Sequence, residues 1–180
     1  MKYYSLTQSS EFKTLVGRFD DLALYDAAKQ YAFGKDFNAV FSRQYELEFS
    51  SDDKKKKDGS DIFTFFRPVL IVTSKAKALF QSVIPDSVHN LNVLSPNPDH
   101  SGIVLEKLLS GAFNKEMSEF DEYPSGLVVY KMVLNAAAIQ GVDVFRVAEN
   151  PLSIYVSEKF VEMSKVRGLK GFEFKGVDAI

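Results

Sequence analysis

Hydrophobic and polar positions follow one pattern that occurs twice along this chain. Residues 69–74 read VLIVTS and residues 152–157 read LSIYVS, each a short β-rich apolar run that ends in serine. Each leads into a stretch with helical spacing, KAKALFQSV after Ser74 and EKFVEMSKV after Ser157. Each then reaches a second alternating run, LNVL at 91–94 and FEFK at 172–175. The serines are 83 residues apart and the closing runs 81. Both places therefore predict a strand, a serine N-cap, an amphipathic helix and a returning strand. The units span about 69–95 and 152–176, a partial internal duplication. No catalytic residue type recurs in it, so the repeat carries architecture and no chemistry.

The rest of the pattern is mixed. Residues 2–6 (KYYSL) predict a first strand. Residues 20–33 place Leu24, Ala27, Ala28 and Tyr31 at helical spacing, with Asp20 or Asp21 as cap and Gly34 as stop. From 41 to 49 Phe41, Tyr45, Leu47 and Phe49 alternate with Gln44, Glu46 and Glu48, the period of two of a half-buried strand. The polar segment 50–61 (SSDDKKKKDGSD) then reads as a hairpin tip before the β-rich run IFTFFRPVLIVTS, which Pro68 breaks or confines to an edge. Residues 95–102 form a loop with two prolines, 103–120 predict two short helices broken near Gly111, and DEYPSG at 121–126 is a turn. Strands at 127–135 and 142–147, joined by AAAIQG, precede the second repeat unit. This order predicts a single α+β domain over 1–180, with a mixed, mostly antiparallel sheet and packed helices.

Composition supports a packed core: 46% of the 180 residues are hydrophobic, with sixteen Phe and eight Tyr. A net charge of −2 gives no global footprint for nucleic acid or anionic lipid. The absence of cysteine removes disulfides, thiolate metal sites and cysteine nucleophiles. Neither a signal-like N-terminal run nor a membrane-length apolar stretch is present, so the expectation is a cytoplasmic protein with no membrane or nucleic-acid partner.

Candidate chemistry is sparse. Ser74 and Ser157 lack the flanking glycines of a nucleophile elbow, and helix capping accounts for both. His89 and His100, the only histidines, have no metal-ligand spacing and read as ordinary solvent-exposed residues. Lys54 to Lys57 are offset by Asp52, Asp53, Asp58 and Asp61, which suits a solvated tip better than a phosphate site. No nucleotide-binding glycine fingerprint occurs. Gly168 reads as a helix C′ residue and Gly171 as part of the following turn. The expectation is no catalytic residue, no metal and no cofactor. The densest acidic cluster, Glu116, Glu119, Asp121 and Glu122 with Phe120 and Tyr123 interleaved, is either a plain acidic helix end or a surface offered to a basic partner.

The segment from Phe145 to Val177 resembles the end of a large group of bacterial immunity proteins from polymorphic toxin systems. Phe145-Arg146, then Val156-Ser157-Glu158-Lys159-Phe160, then Gly168-Leu169-Lys170-Gly171-Phe172-Glu173-Phe174 stand where that group carries Phe-Arg, "hhVSE+F" and "GhxGhxF". VLIVTSKAKALF at 69–80 resembles its earlier strand–Ser–helix element. The resemblance covers about half the chain, the last thirty-odd residues most closely. It implies a cytoplasmic antidote that binds a cognate toxin domain without catalysis or cofactor, and it supplies no functional residues, because the shared motif is scaffold. Two other readings stay open on the residues alone. One is a small-ligand-binding protein or enzyme that uses carboxylates, and the other is an adaptor that self-associates through an edge strand.

Overall fold

The duplicated pattern folds into two copies of one unit, and the copies are longer than the sequence suggests. The structure, a computed structural model, describes residues 1–180. The first part of the chain holds β1 (Tyr3–Gln8), β2 (Leu15–Gly17), α1 (Ala23–Ala32), α2 (Phe37–Val40), β3 (Tyr45–Phe49), β4 (Ile62–Phe63), β5 (Val69–Val72) and α3 (Ser74–Val83). The middle holds β6 (Val88–Leu91), β7 (Val93–Leu94), β8 (Ser101–Leu105), β9 (Leu108–Leu109), β10 (Glu119–Tyr123), β11 (Gly126–Lys131), β12 (Val133–Leu134) and α4 (Ala136–Ile139). β13 (Val144–Val147), β14 (Asn150–Ser157), α5 (Glu158–Val166) and β15 (Phe172–Ala179) complete it. The α+β class expected from the sequence is the one observed.

One sheet has the order β4-β5-β8-β6, and a larger one has β12-β15-β1-β14-β13-β9. Read as β13-β14-β1-β15, the centre of the larger sheet matches the smaller strand for strand. In each, a hairpin runs into a helix, the helix into an outer strand, and one further strand fills the gap, antiparallel to both neighbours. The registers agree. Ile62 faces Val72 as Val144 faces Val156, and Leu70 faces Ile103 as Ile154 faces Leu6.

The same hydrogen bonds close both hairpins. The Thr73 N–H donates to the Asp61 carbonyl at 3.1 Å and its hydroxyl donates to Asp61 Oδ1 at 2.7 Å. In the second copy the Ser157 N–H reaches the Asp143 carbonyl at 2.9 Å and its hydroxyl reaches Asp143 Oδ1 at 2.6 Å. Each hydroxyl oxygen also accepts a first-turn N–H, from Ala76 at 3.4 Å and Phe160 at 3.3 Å, and so caps its helix. The first cap is thus Thr73, whose backbone is extended, and Ser74 is already helical. The true repeat begins at Asp61 and Asp143.

Strand alternation gives each sheet two apolar faces. Ile62, Leu70, Val72 and Ile103 of one copy and Val144, Ile154, Val156 and Leu6 of the other meet in a single core with α3 and α5. There Phe80 and Phe160, both fully buried, approach with ring centroids 5.1 Å apart. On the outer face of the first sheet Phe63, Ile71 and Val104 are covered by α1 and the small sheet β2-β3-β7. On the second, Phe145, Tyr155 and Tyr3 are covered by Phe113, Leu134 and Ile139. β5 is buried on both faces, which explains its unbroken VLIV run.

Several expectations are corrected. The segment 50–61 is not a hairpin tip, because β3 pairs with β2 and β7 and not with β4. It folds back over residues 11–14. The Lys57 N–H donates to the Glu11 carbonyl at 2.8 Å, and buried Asp53 accepts the Thr14 N–H and the Lys56 ammonium, each at 2.8 Å. Strand β3 starts only at Tyr45, while Phe41 ends α2 and is buried there. The run at 62–73 does break before Pro68, but β5 is central and not an edge. No helix forms over 103–120. Ile103-Val104-Leu105 insert between β5 and β6, and burial on both faces overrides the helical spacing. LNVL at 91–94 divides between β6 and β7, which join different sheets, and 127–135 divides at Met132 between β11 and β12. Gly168 and Gly171 have φ +62° and +82°, and a Cβ on Gly171 would collide with Ser60.

Ser157→Ala and Thr73→Ala each remove a cap and the donor to one aspartate oxygen, so each is expected to cost about 1–3 kcal/mol in urea unfolding. A double-mutant cycle of Asp143→Ala with Ser157→Ala is expected to show coupling of at least about 0.5 kcal/mol, and additivity would refute the shared lock. Gly171→Ala should destabilise more than Gly34→Ala, since both have positive φ but only Gly171 has a neighbour in the way.

Candidate functional site

Strands β10 and β11 stand apart as a two-stranded sheet of their own. Period-two alternation sends Phe120, Leu127 and Val129 inward onto the third core, where Phe120 meets Phe113 edge-on at 5.3 Å. The same alternation sends Glu119, Asp121 and Tyr123 outward beside Val128 and Tyr130. Asp121 accepts the Tyr130 hydroxyl at 2.8 Å and the Tyr123 hydroxyl at 3.4 Å. The hydrogen bond to that carboxylate pushes the Tyr130 phenol above its ordinary pKa. Tyr130 is 64% exposed, Tyr123 49% and Val128 46%, so this face is an acidic, aromatic surface with no cover.

The six residues singled out in the sequence are brought to one hairpin but not to one face. Glu119, Asp121 and Tyr123 share the outer face. Glu122 points the other way and meets Lys115 at 3.8 Å. Glu116 lies in the turn before the strand. Phe120 is half-buried against Phe113, so it anchors the hairpin and is not free for a partner. The segment is strand, not an acidic helix end. Tyr130 and Val128 were missed, although LVVY carried the alternation that exposes them.

Between this hairpin, the turn of the β13–β14 hairpin and the end of α1 lies a cleft of about 580 Å³. Its lining includes Glu122, Tyr123 and Leu127 of the hairpin, Glu149 and Pro151 at the β13–β14 turn, and Phe33 at the end of α1. Phe33 is 57% exposed. Val147 pairs with Asn150, which makes Ala148-Glu149 the two residues of the turn. Glu149 Oε2 is shut off from solvent and has no donor. Three residues earlier, buried Arg146 donates to the carbonyls of Pro151 at 3.2 Å and Glu106 at 3.4 Å, and it lies over the Tyr31 ring at 5.2 Å. Its Nε has no acceptor, burial lowers its pKa, and no ion pair joins it to Glu149. Leu152 links the cleft to a smaller cavity of about 80 Å³ beside Tyr25, Phe65 and Arg67, which extends the exposed aromatic strip along α1.

The histidines stay outside this region. His89 is half-exposed and meets Glu106 at 3.0 Å. His100 is not solvent-exposed as expected. It is buried, bonded through Nδ1 to the Ser95 hydroxyl at 2.7 Å and set edge-on to Phe63 at 4.9 Å. No group of three potential ligands surrounds a metal-sized space. No helix is long and apolar enough to cross a membrane. No family model and no curated protein matches this chain.

Burial pushes the His100 pKa down, with Asp99 and Asp61 opposing weakly. Below its unfolded value of about 6.5 the unfolded chain binds the proton that the folded one refuses. Stability is therefore full above that pH and falls as the pH drops toward the folded value. His100→Asn is expected to flatten unfolding free energy between about pH 7 and 5, and an unchanged slope would place the titrating group elsewhere.

Proposed function

We propose that this chain is a cytoplasmic immunity protein that neutralises a cognate bacterial toxin domain by direct, stoichiometric binding, covering the toxin's active site or its substrate entrance. The observation that carries this reading is the uncovered face of the β10–β11 hairpin, where Asp121 sits between two exposed tyrosines beside the cleft. Carboxylates steer the encounter with a basic surface, and aromatic side chains provide the buried anchors. The adjoining strip of Phe33, Tyr25 and Phe65 enlarges the patch toward the 1,200–2,000 Å² or so that a stable complex buries in total. The resemblance of residues 145–177 to immunity proteins points the same way, and those residues here serve the scaffold. Arg146, Ser157, Phe160 and Gly171 hold a hairpin, a helix cap, the shared core and a turn. On this reading the protein acts as a plug and transforms nothing.

The test is co-expression in a bacterial cell with a candidate toxin domain taken from a gene neighbouring this one. Rescue of growth and a one-to-one complex on pull-down are expected, and neither rescue nor complex would overturn the reading. Changing Glu116, Glu119, Asp121 and Glu122 together to Lys is expected to slow association at low salt by about tenfold or more and to remove most of its salt dependence. Tyr130→Ala should instead speed dissociation by about tenfold, as loss of an aromatic anchor does. Unchanged kinetics in both variants would remove the hairpin from the interface.

A further inference from the structure

Four of the five arginines serve the fold, and one does not. Arg18 donates to Glu46, Arg43 to Asp21, Arg167 to the Ser82 hydroxyl, and buried Arg146 to two main-chain carbonyls. The guanidinium of Arg67 has neither a hydrogen-bond acceptor nor an ion pair in the protein. It is half-buried, and that burial pushes its pKa down, opposed only by the phenols of Tyr155 and Tyr25. Its nitrogens are not among the atoms closed off from solvent, and the side chain lines the cavity of about 80 Å³ beside α1. Holding a desolvated cation without a partner costs stability that a bound anion returns.

The lining decides which anion. None of its residues is acidic, and the only side-chain nitrogens in it are those of Arg67 and of Lys29, an exposed lysine without an ion pair. Tyr25 and Lys29 lie one turn apart on α1 and share a face, and the exposed rings of Tyr25 and Phe65 stand 5.6 Å apart. A phosphate is tetrahedral and close to doubly charged, and it calls for a cluster of donors that this lining does not hold. A carboxylate is planar, and one guanidinium fork matches both of its oxygens. Its carbon stem then lies against Tyr25, Phe65 and Leu152. We infer that this cavity binds a carboxylate, forked by Arg67 with Lys29 adding charge at the rim. The inference does not rest on the antidote reading, because the acid belongs equally well to a side chain of a bound protein or to a small free molecule.

The test is two-dimensional amide NMR of the full chain alone at constant ionic strength. The probes are N-acetyl-glutamate methylamide, its glutamine counterpart, acetate and inorganic phosphate. The glutamate compound is expected to shift the amides of Tyr25 to Lys29 and of Phe65 to Arg67, and to bind at least about tenfold more tightly than the glutamine compound. Arg67→Gln should erase that preference while leaving Tm unchanged or raised. Absence of saturable shifts at those amides, an equal response to glutamine, or tighter binding of phosphate than of either carboxylate overturns the proposal. A Tm loss of several degrees in Arg67→Gln also overturns it, by giving the guanidinium a role in the fold. Both remaining outcomes support it: acetate matching the capped glutamate assigns the site to a free acid, and a tighter capped glutamate assigns it to a protein side chain. No toxin enters the experiment, so failed growth rescue and failed carboxylate binding are separate results.

Discussion

The structure depends on one constraint: a four-stranded sheet carrying a single short helix cannot bury both of its faces alone. Each unit of the duplication solves half the problem by turning its helix side toward the other unit. Leu70 and Val72 of one sheet and Ile154 and Val156 of the other thereby close on the same pair of helices. The Phe80–Phe160 contact marks where the two halves meet. The outer faces are covered by the parts that are not duplicated, α1 with β2-β3-β7 on one side and the 109–142 region on the other. The hairpin β10–β11 belongs to that second cover, so it is carried on the core without being part of it.

The duplication was legible because its strongest signals are local. An apolar run, a hydroxyl residue and a helical period lie within twenty residues, and so could be read twice. The partners of those signals were not legible. Asp61 and Asp143 complete the locks from twelve and fourteen residues upstream, and nothing in their own neighbourhood marks them. The one-residue slip from Thr73 to Ser74 has the same origin, since two adjacent hydroxyls satisfy the same pattern and only the backbone angles separate them. Residues 103–105 were misread because a strand buried on both faces loses its alternation.

The site divides in the same way. Acidic residues between aromatics could be found by composition, but the face on which each one lies follows from the strand pairing. Once Phe120 is fixed inward, Asp121 must be outward and Glu122 must turn toward the cleft. Glu149 could not be found at all. It is a single acid in a two-residue turn, and its isolation becomes visible only when Arg146 spends its terminal nitrogens on main-chain carbonyls. Residues shared with the immunity-protein pattern lie in the scaffold, whereas the hairpin and the aromatic strip lie outside it. An architecture of this kind can keep its core while the hairpin and strip change.

Strand β1 has a further consequence. It lies between β14 and β15, so the third to eighth residues of the chain find both of their neighbours only after residues 150–179 exist. The first unit, by contrast, draws its filling strand β8 from the residues that directly follow it. During vectorial synthesis the first unit can therefore assemble as it leaves the ribosome, while β1 waits unpaired until residues 150–179 have been made. Between the synthesis of β1 and that of β14 the nascent chain carries one exposed β-segment, a window in which a chaperone, or a wrong partner, can take the place of β14.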